Sequence, residues 1–301
     1  MAKIDQHYKM TPSEFFSQEV LCRGDLYVPN GSHSLPIVIM AHGFASERAF
    51  RLPAYAEKFA QAGLAVYLFD YRTFGDSHGE PRQLVDHRRH IQDWKAAIEH
   101  VRSMSDINVK KIAHWGTSYS AGHVIVCAAR NPNIAAINIQ VPFVDSFTTL
   151  RKFGTKYILQ ATPNAIHDIF RTITFRSPHY IKVISPPDEF AALNTAESLP
   201  GYQTIIPEVS GWENKCPARV AFTFPFYRPI TSAAQVKCPA LVMLTENDSL
   251  SDTKSVERAA RKMPNSTLIR YPYGHFDIYH GEPFEQAVAL QTAFLVKHLL
   301  D

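Results

Sequence analysis

The chain of 301 residues is long enough to bury roughly three quarters of the surface its unfolded form would expose, so it needs neither disulfides nor metal to hold a core. Its 46% hydrophobic and 20% charged residues are ordinary for a globular protein, and 31 basic against 28 acidic side chains leave a formal net charge of +3. That near-balance removes the electrostatic case for nucleic acid or an anionic membrane as partner.

Met1 to Met10 contains no apolar h-region, and no run approaches the ~18 apolar residues of a transmembrane span. A cytoplasmic setting is therefore expected. Cys22, Cys127, Cys216 and Cys238 are scattered, with no CxxC pair and no metal-ligand spacing, so reduced thiols are expected. Residues 14–28 read as two strands in an antiparallel start. An apolar run at 37–41 ends at His42-Gly43. Residues 52–62 carry apolar positions at helical spacing and stop at Gly63, a fitting position after a C-cap. A strand-like run follows at 64–69, ending at Asp70. The basic run His87-Arg88-Arg89-His90 reads as the solvated face of a helix. The helical pattern is clearest over 91–104, with Trp94, Ala97, Ile98 and Val101 on one side.

Further apolar runs occupy 111–115, 134–141, 240–244 and 267–271, and helical patterns occupy 119–130 and 284–300. Continuous apolar runs of this length fit strands buried on both faces. Strand and helix in alternation predict an α/β fold with a doubly wound, mostly parallel sheet and right-handed crossovers. The alternation breaks after Pro142 and resumes near Val236. Nine of the twenty prolines and many aromatics lie in between, too apolar for a disordered linker and too long for an ordinary loop. Residues 1–145 and 236–301 are assigned to the core, and 146–235 to an inserted, mainly helical cap.

Gly116-Thr117-Ser118-Tyr119-Ser120-Ala121-Gly122 lies between a strand-like and a helix-like run, the context a nucleophile elbow requires. The positions two before and two after the serine must be small; Gly116 and Ser120 meet that need. The bland alternative for Ser118 is a helix N-cap. His42-Gly43-Phe44-Ala45, after the first long buried strand, sits where such a site takes its second oxyanion donor. The expected donors are the N–H groups of Phe44 and Tyr119. His42 itself reads as a structural residue that holds the loop. Asp248, in Glu246-Asn247-Asp248, is chosen as the acid, with Glu246, Asp252 and Asp145 as competitors. His275, in Tyr273-Gly274-His275-Phe276-Asp277, is singled out as base by its place after the last strand. Asp277 reads as a turn residue.

The order Ser118, Asp248, His275 resembles the α/β-hydrolase superfamily over about residues 14–145 and 236–301. Asp70-Tyr71-Arg72-Thr73-Phe74-Gly75-Asp76-Ser77 matches its D-x-R-G-x-G-x-S loop, with Thr73 replacing a glycine. With Asp93-Trp94 and Gly116-Thr117-Ser118, the chain is similar to the branch of dienelactone hydrolases and X-prolyl dipeptidyl-peptidase-like hydrolases. The resemblance implies a serine hydrolase but not peptidase activity, since members cleave esters, thioesters and amides. The expected reaction is hydrolysis of a small-molecule carboxylic ester or thioester through an acyl-enzyme, with no cofactor and no metal. Peptidase, amidase or acyltransferase chemistry on the same residues, and a non-catalytic binding protein, are the alternatives; a homodimer is left open. An X-prolyl peptidase needs an acidic anchor for a free amine, for which Asp188, Glu189, Glu208 and Glu213 are available. Arg228 could meet a substrate carboxylate, though a surface or structural role is the plainer reading.

Overall fold

The computed structural model describes residues 7–31 and 34–300; Met1 to Gln6, most of the stretch read for a leader, lie outside them. A hairpin of β1 (Tyr8–Ser17) and β2 (Val20–Pro29) opens the chain. Gln18 and Glu19 both take positive φ, 48° and 65°, which suits the right-handed twist of the strands they join. Alternation follows: β3 (Leu35–Ala41), α1 (Leu52–Gln61), β4 (Ala65–Phe69), α2 (His87–Arg102), β5 (Ile107–Thr117), α3 (Tyr119–Arg130) and β6 (Ala136–Gln140). The insertion holds α4 (Ser146–Ile173), a two-strand ribbon of β7 (Tyr180–Ile181) and β8 (Cys216–Pro217), α5 (Ser198–Ile205) and α6 (Val220–Thr223). β9 (Ala240–Thr245), α7 (Thr253–Lys262), β10 (Ser266–Tyr271) and α8 (Gly281–Leu299) complete the chain.

The eight-stranded sheet runs β1-β2-β4-β3-β5-β6-β9-β10, and every pairing from β4 onward is parallel. The doubly wound sheet expected from the apolar runs is therefore present. β3, β4, β6 and β9 are buried at every residue, as helices on both faces demand. The order reverses around β3, where α/β sheets open a crevice beyond their C-terminal ends. Ala41 pairs with Gly116, so the loop after β3 emerges directly beside Ser118.

Two local expectations change. Helix α2 starts at His87, because Asp86 accepts the N–H of Arg88 (2.8 Å) and caps it. The 87–90 run is not a solvated face either: His87 and His90 are buried, and only Arg88 is fully exposed. His90 stacks on Tyr71 (4.1 Å between centroids) and bonds His123 (3.2 Å). Helix α4 is interrupted at Gly154, whose φ of 79° favours glycine.

The insertion reaches the loops at the C-terminal ends of the strands. Tyr202 donates to the Phe44 carbonyl (2.9 Å) and the Trp212 indole to that of Ala45 (2.8 Å). Of the insertion's aromatics, Phe147, Phe170, Phe175, Phe222 and Phe226 are exposed. The insertion is built from one broken long helix, two short helices and a two-strand ribbon, with too little second layer to cover these rings.

Candidate active site

Ser118 sits at the turn between β5 and α3 with φ 55° and ψ −119°, a strained conformation for a residue with a side chain. Backbone packing dictates its neighbours. A Cβ on Gly116 would lie 2.7 Å from the Ser120 carbonyl oxygen, and one on Gly122 2.6 Å from that of Phe143. Serine is tolerated at position 120 because its hydroxyl bonds that of Tyr71 (2.7 Å), which also accepts from the Trp94 indole (3.0 Å).

Three segments converge on this turn. His275 Nε2 lies 3.1 Å from Ser118 Oγ, and its Nδ1 lies 2.7 Å from Asp248 Oδ2. Asp248 Oδ1 accepts the N–H groups of Leu250 (2.7 Å) and Ser251 (2.8 Å), which fixes the carboxylate plane. His275 and Asp248 are both buried. Burial alone would lower the pKa of His275. The Asp248 charge and hydrogen bond outweigh it, Glu197 adds in the same direction and Lys152 opposes, and the net pKa is raised.

The loop after β3 borders the serine from the other side. A Cβ on Gly43 would lie 3.1 Å from that of Ser118, a tighter contact than side chains normally make, so glycine suits the close approach of this loop to the serine. Phe44 and Tyr119 both flank Ser118 in the lining of a cavity. His42 is the loop-holding residue expected. Its Nδ1 donates to the Gly43 carbonyl (3.1 Å), its Nε2 lies 3.5 Å from Asp70, and burial pushes its pKa down to about 4. Asp70 accepts the Arg48 N–H (2.7 Å) and pairs with its guanidinium. Thr73 adopts φ 74° where the related motif has glycine, and its hydroxyl accepts the Leu84 N–H (3.1 Å), which partly offsets the strain. Arg72 pairs with buried Asp93 (2.5 Å), tying this loop to α2.

The competing acids are engaged elsewhere. Asp145 pairs with Arg228 (2.8 Å) and caps α4, Asp252 caps α7, and exposed Glu246 lies 3.9 Å from Arg270. Arg228 is thus committed to a carboxylate of the chain itself. Asp277 accepts the Gly274 N–H (2.8 Å), the turn role expected of it.

A cavity of about 170 Å³ opens beside Ser118, walled by Phe143, Leu150, Phe153, Tyr157 and Phe224 among others, and no charged side chain lines it among the described residues. Asp188, Glu189, Glu208 and Glu213 are absent from its walls; Glu189 and Glu213 pair with Lys182 and Lys215. A smaller cavity of about 30 Å³ lies on the His275 side of the serine, against Tyr202 and Phe276. The sequence reading missed Glu197 and Lys152, whose contacts with the acid and base loops span 52 to 99 residues. No local pattern marks such a pair.

Sheet order, elbow and switch-point crevice together define an α/β-hydrolase. A model of the X-Pro dipeptidyl-peptidase (S15) family matches residues 20–166. The quorum-quenching protein AidA of Acinetobacter baumannii is 36% identical over 94% of this chain and 93% of its own. The chain therefore has the α/β-hydrolase fold and belongs to the same family as AidA. The polyketide transferase af380 of Aspergillus fumigatus is 25% identical, covering 93% of this chain and 95% of its own. The crystal structure of the alpha/beta hydrolase GrgF from a Penicillium species superposes with a TM-score of 0.84 at 22% identity, covering 97% of this chain and all of that one.

Proposed function

We propose that the protein is a serine hydrolase that cleaves carboxylic esters or thioesters of apolar acids, with Ser118 as nucleophile, His275 as base and Asp248 as the acid that orients it. One observation carries the reading: His275 bridges Ser118 (3.1 Å) and Asp248 (2.7 Å) in a buried setting at the sheet switch point. Ser118 Oγ attacks the acyl carbon while His275 Nε2 takes its proton. The N–H groups of Tyr119 and Phe44 stabilise the oxyanion. His275 then protonates the leaving alcohol or thiol as the C–O or C–S bond breaks. Water, deprotonated by the same imidazole, releases the acid and restores Ser118.

Residues 146–235 act as a cap whose inner wall holds the acyl group. The uncharged lining favours a neutral, apolar acyl chain or ring and disfavours a dipeptide with a free amine, for which it offers no carboxylate. The transferase relative keeps acyl transfer to an alcohol or amine as the second reading. AidA's description as quorum-quenching suggests a signal molecule among the candidate substrates. No helix among the described residues is long and apolar enough to cross a membrane, and four free cysteines fit a reducing, cytoplasmic compartment.

A fluorophosphonate probe on wild type and Ser118→Ala, read by intact mass and peptide mapping, tests this. A single adduct on Ser118 that is absent in the variant is expected. A folded wild-type protein that takes no adduct would overturn the reading in favour of a non-catalytic binding protein.

A further inference from the structure

We propose that Glu197 and Lys152 are positioning residues that fasten the insertion to the acid and base loops, so that the wall of the acyl cavity and the Asp248–His275 pair are held as one unit. The inference rests on the roles given above to Ser118, Asp248 and His275, and adds two residues to them.

Glu197 sits at the N-terminus of α5 but makes no capping bond to it. Its carboxylate turns to the catalytic loops instead. Oε1 accepts the Ser249 N–H (2.5 Å) and Oε2 accepts the His275 N–H (2.9 Å). One acceptor-only group thus joins the residue after Asp248 to the backbone of the base itself. The approach is close: a Cβ at Gly274 would lie 2.8 Å from Glu197 Oε2. Ser249 Oγ adds a second tie, donating to Thr195 (2.6 Å).

Lys152 acts on the other side of the same loop. Its ammonium donates to the carbonyls of Asp248 (2.8 Å) and Ser251 (2.9 Å). The carbonyls at both ends of this four-residue loop go to Lys152, one of its amides goes to Glu197, and two go to the Asp248 carboxylate. The loop also supplies Leu250 and Ser251 to the cavity wall, and the turns flanking Lys152 supply Leu150 and Phe153. An acyl chain packed on these residues therefore presses on the segment that sets the position of Asp248.

The two residues carry opposite charges, which distinguishes positioning of the acid–base pair from a plain structural tie. The charged groups around His275 are Asp248, Glu197 and Lys152, with Asp277 bound to the preceding amide. Glu197 favours the protonated imidazole and Lys152 disfavours it. The test uses the full chain as wild type, Glu197→Gln and Lys152→Met. The readouts are kcat/KM for a p-nitrophenyl ester against pH and the rate of fluorophosphonate labelling of Ser118 against pH. Glu197→Gln should move the acidic limb of both profiles to lower pH and Lys152→Met to higher pH, each by on the order of half a unit. The Glu197→Gln plateau should fall about tenfold or more, since glutamine keeps one acceptor and turns its NH₂ on the other amide. Limbs that superimpose on wild type, or that move in the same direction in both variants, overturn the inference. A wild-type protein that Ser118-directed probe does not label refutes the underlying triad instead. If Glu197→Gln fails to fold, Glu197→Asp keeps the charge with a shorter reach. It should leave the limb near wild type and lower the plateau, and an unchanged plateau would count against the proposal.

Discussion

Asp248→Asn replaces one oxygen with NH₂, and the geometry decides which. Oδ1 receives two backbone N–H groups, from Leu250 (2.7 Å) and Ser251 (2.8 Å), whereas Oδ2 faces only His275 Nδ1 (2.7 Å). The asparagine oxygen must stay with the two donors, so its NH₂ points at the imidazole. Nδ1 then has to accept, and the ring hydrogen moves to Nε2. That hydrogen points at Ser118 Oγ, 3.1 Å away, and the base can no longer take the serine proton. Turning the carboxamide over would leave two buried amides unpaired, at about 1–3 kcal/mol each, or about 2–6 kcal/mol in all. The productive tautomer is therefore reduced by about thirtyfold to 10⁴-fold, and loss of the carboxylate that stabilises the imidazolium pushes the effect to the upper end. The expected outcome is a fall in kcat/KM of about 10³ to 10⁴ on a p-nitrophenyl ester, with a matching fall in fluorophosphonate labelling and little change in melting temperature. Asp145→Asn, which disturbs only the pair with Arg228, should stay within about fivefold of wild type. An Asp248→Asn enzyme within tenfold of wild type, or an Asp145→Asn enzyme equally impaired, would refute the assignment of the acid.

The raised pKa of His275 places the acidic limb of kcat/KM above the ordinary histidine value of about 6.5, with activity gained as the imidazole loses its proton. A flat profile over pH 5–8 would exclude it as base. His42 and His114 are buried and neutral, with pKa values lowered to about 4 and about 3, burial being the first cause in each. Their unfolded forms bind protons first, so their contribution to stability is complete above about pH 6.5 and is lost as pH falls toward the folded values. The loss is on the order of 3 kcal/mol each by pH 4, and a urea midpoint unchanged between pH 7 and pH 4 would contradict it. Ala161→Phe puts a ring into the acyl cavity and should leave acetyl esters nearly untouched. Longer acyl esters should lose about fourfold in kcat/KM per excluded methylene, from about 0.8 kcal/mol each. Equal losses across an acetyl-to-dodecanoyl series would place the acyl group elsewhere.

What the sequence made legible follows from locality. The runs at 37–41, 64–69 and 240–244 are buried on both faces and carry a continuous apolar signal, which survives without knowing their neighbours. Ser118, Asp248 and His275 are each tied to a strand end, so chain order and element order suffice to nominate them as candidates, and the structure brings them within hydrogen-bond distance. His87 and His90 failed that test because their partners come from elsewhere in the chain: His87 stacks on Tyr227, and His90 meets Tyr71 and His123, brought in by another loop and another helix. Glu197 and Lys152 were hidden for the same reason. Which aromatics of 146–235 stay exposed was not legible, because composition counts apolar side chains but does not say how many layers exist to bury them.

The two cavities bear on the choice between hydrolysis and acyl transfer. Whatever attacks the acyl-enzyme must hand its proton to His275 Nε2, so it arrives from the imidazole side of Ser118. That side offers about 30 Å³, room for about two water molecules. The far side offers about 170 Å³ of uncharged space for the acyl group. An acceptor too large for the smaller cavity would have to widen it; its wall includes Tyr202 and Phe276, and Tyr202 is bonded to the loop that carries the Phe44 amide (2.9 Å). Enlarging the acceptor side would thus loosen the loop of the proposed oxyanion donor, whereas water needs no such movement. The asymmetry favours water as the acceptor, and with it hydrolysis over transfer.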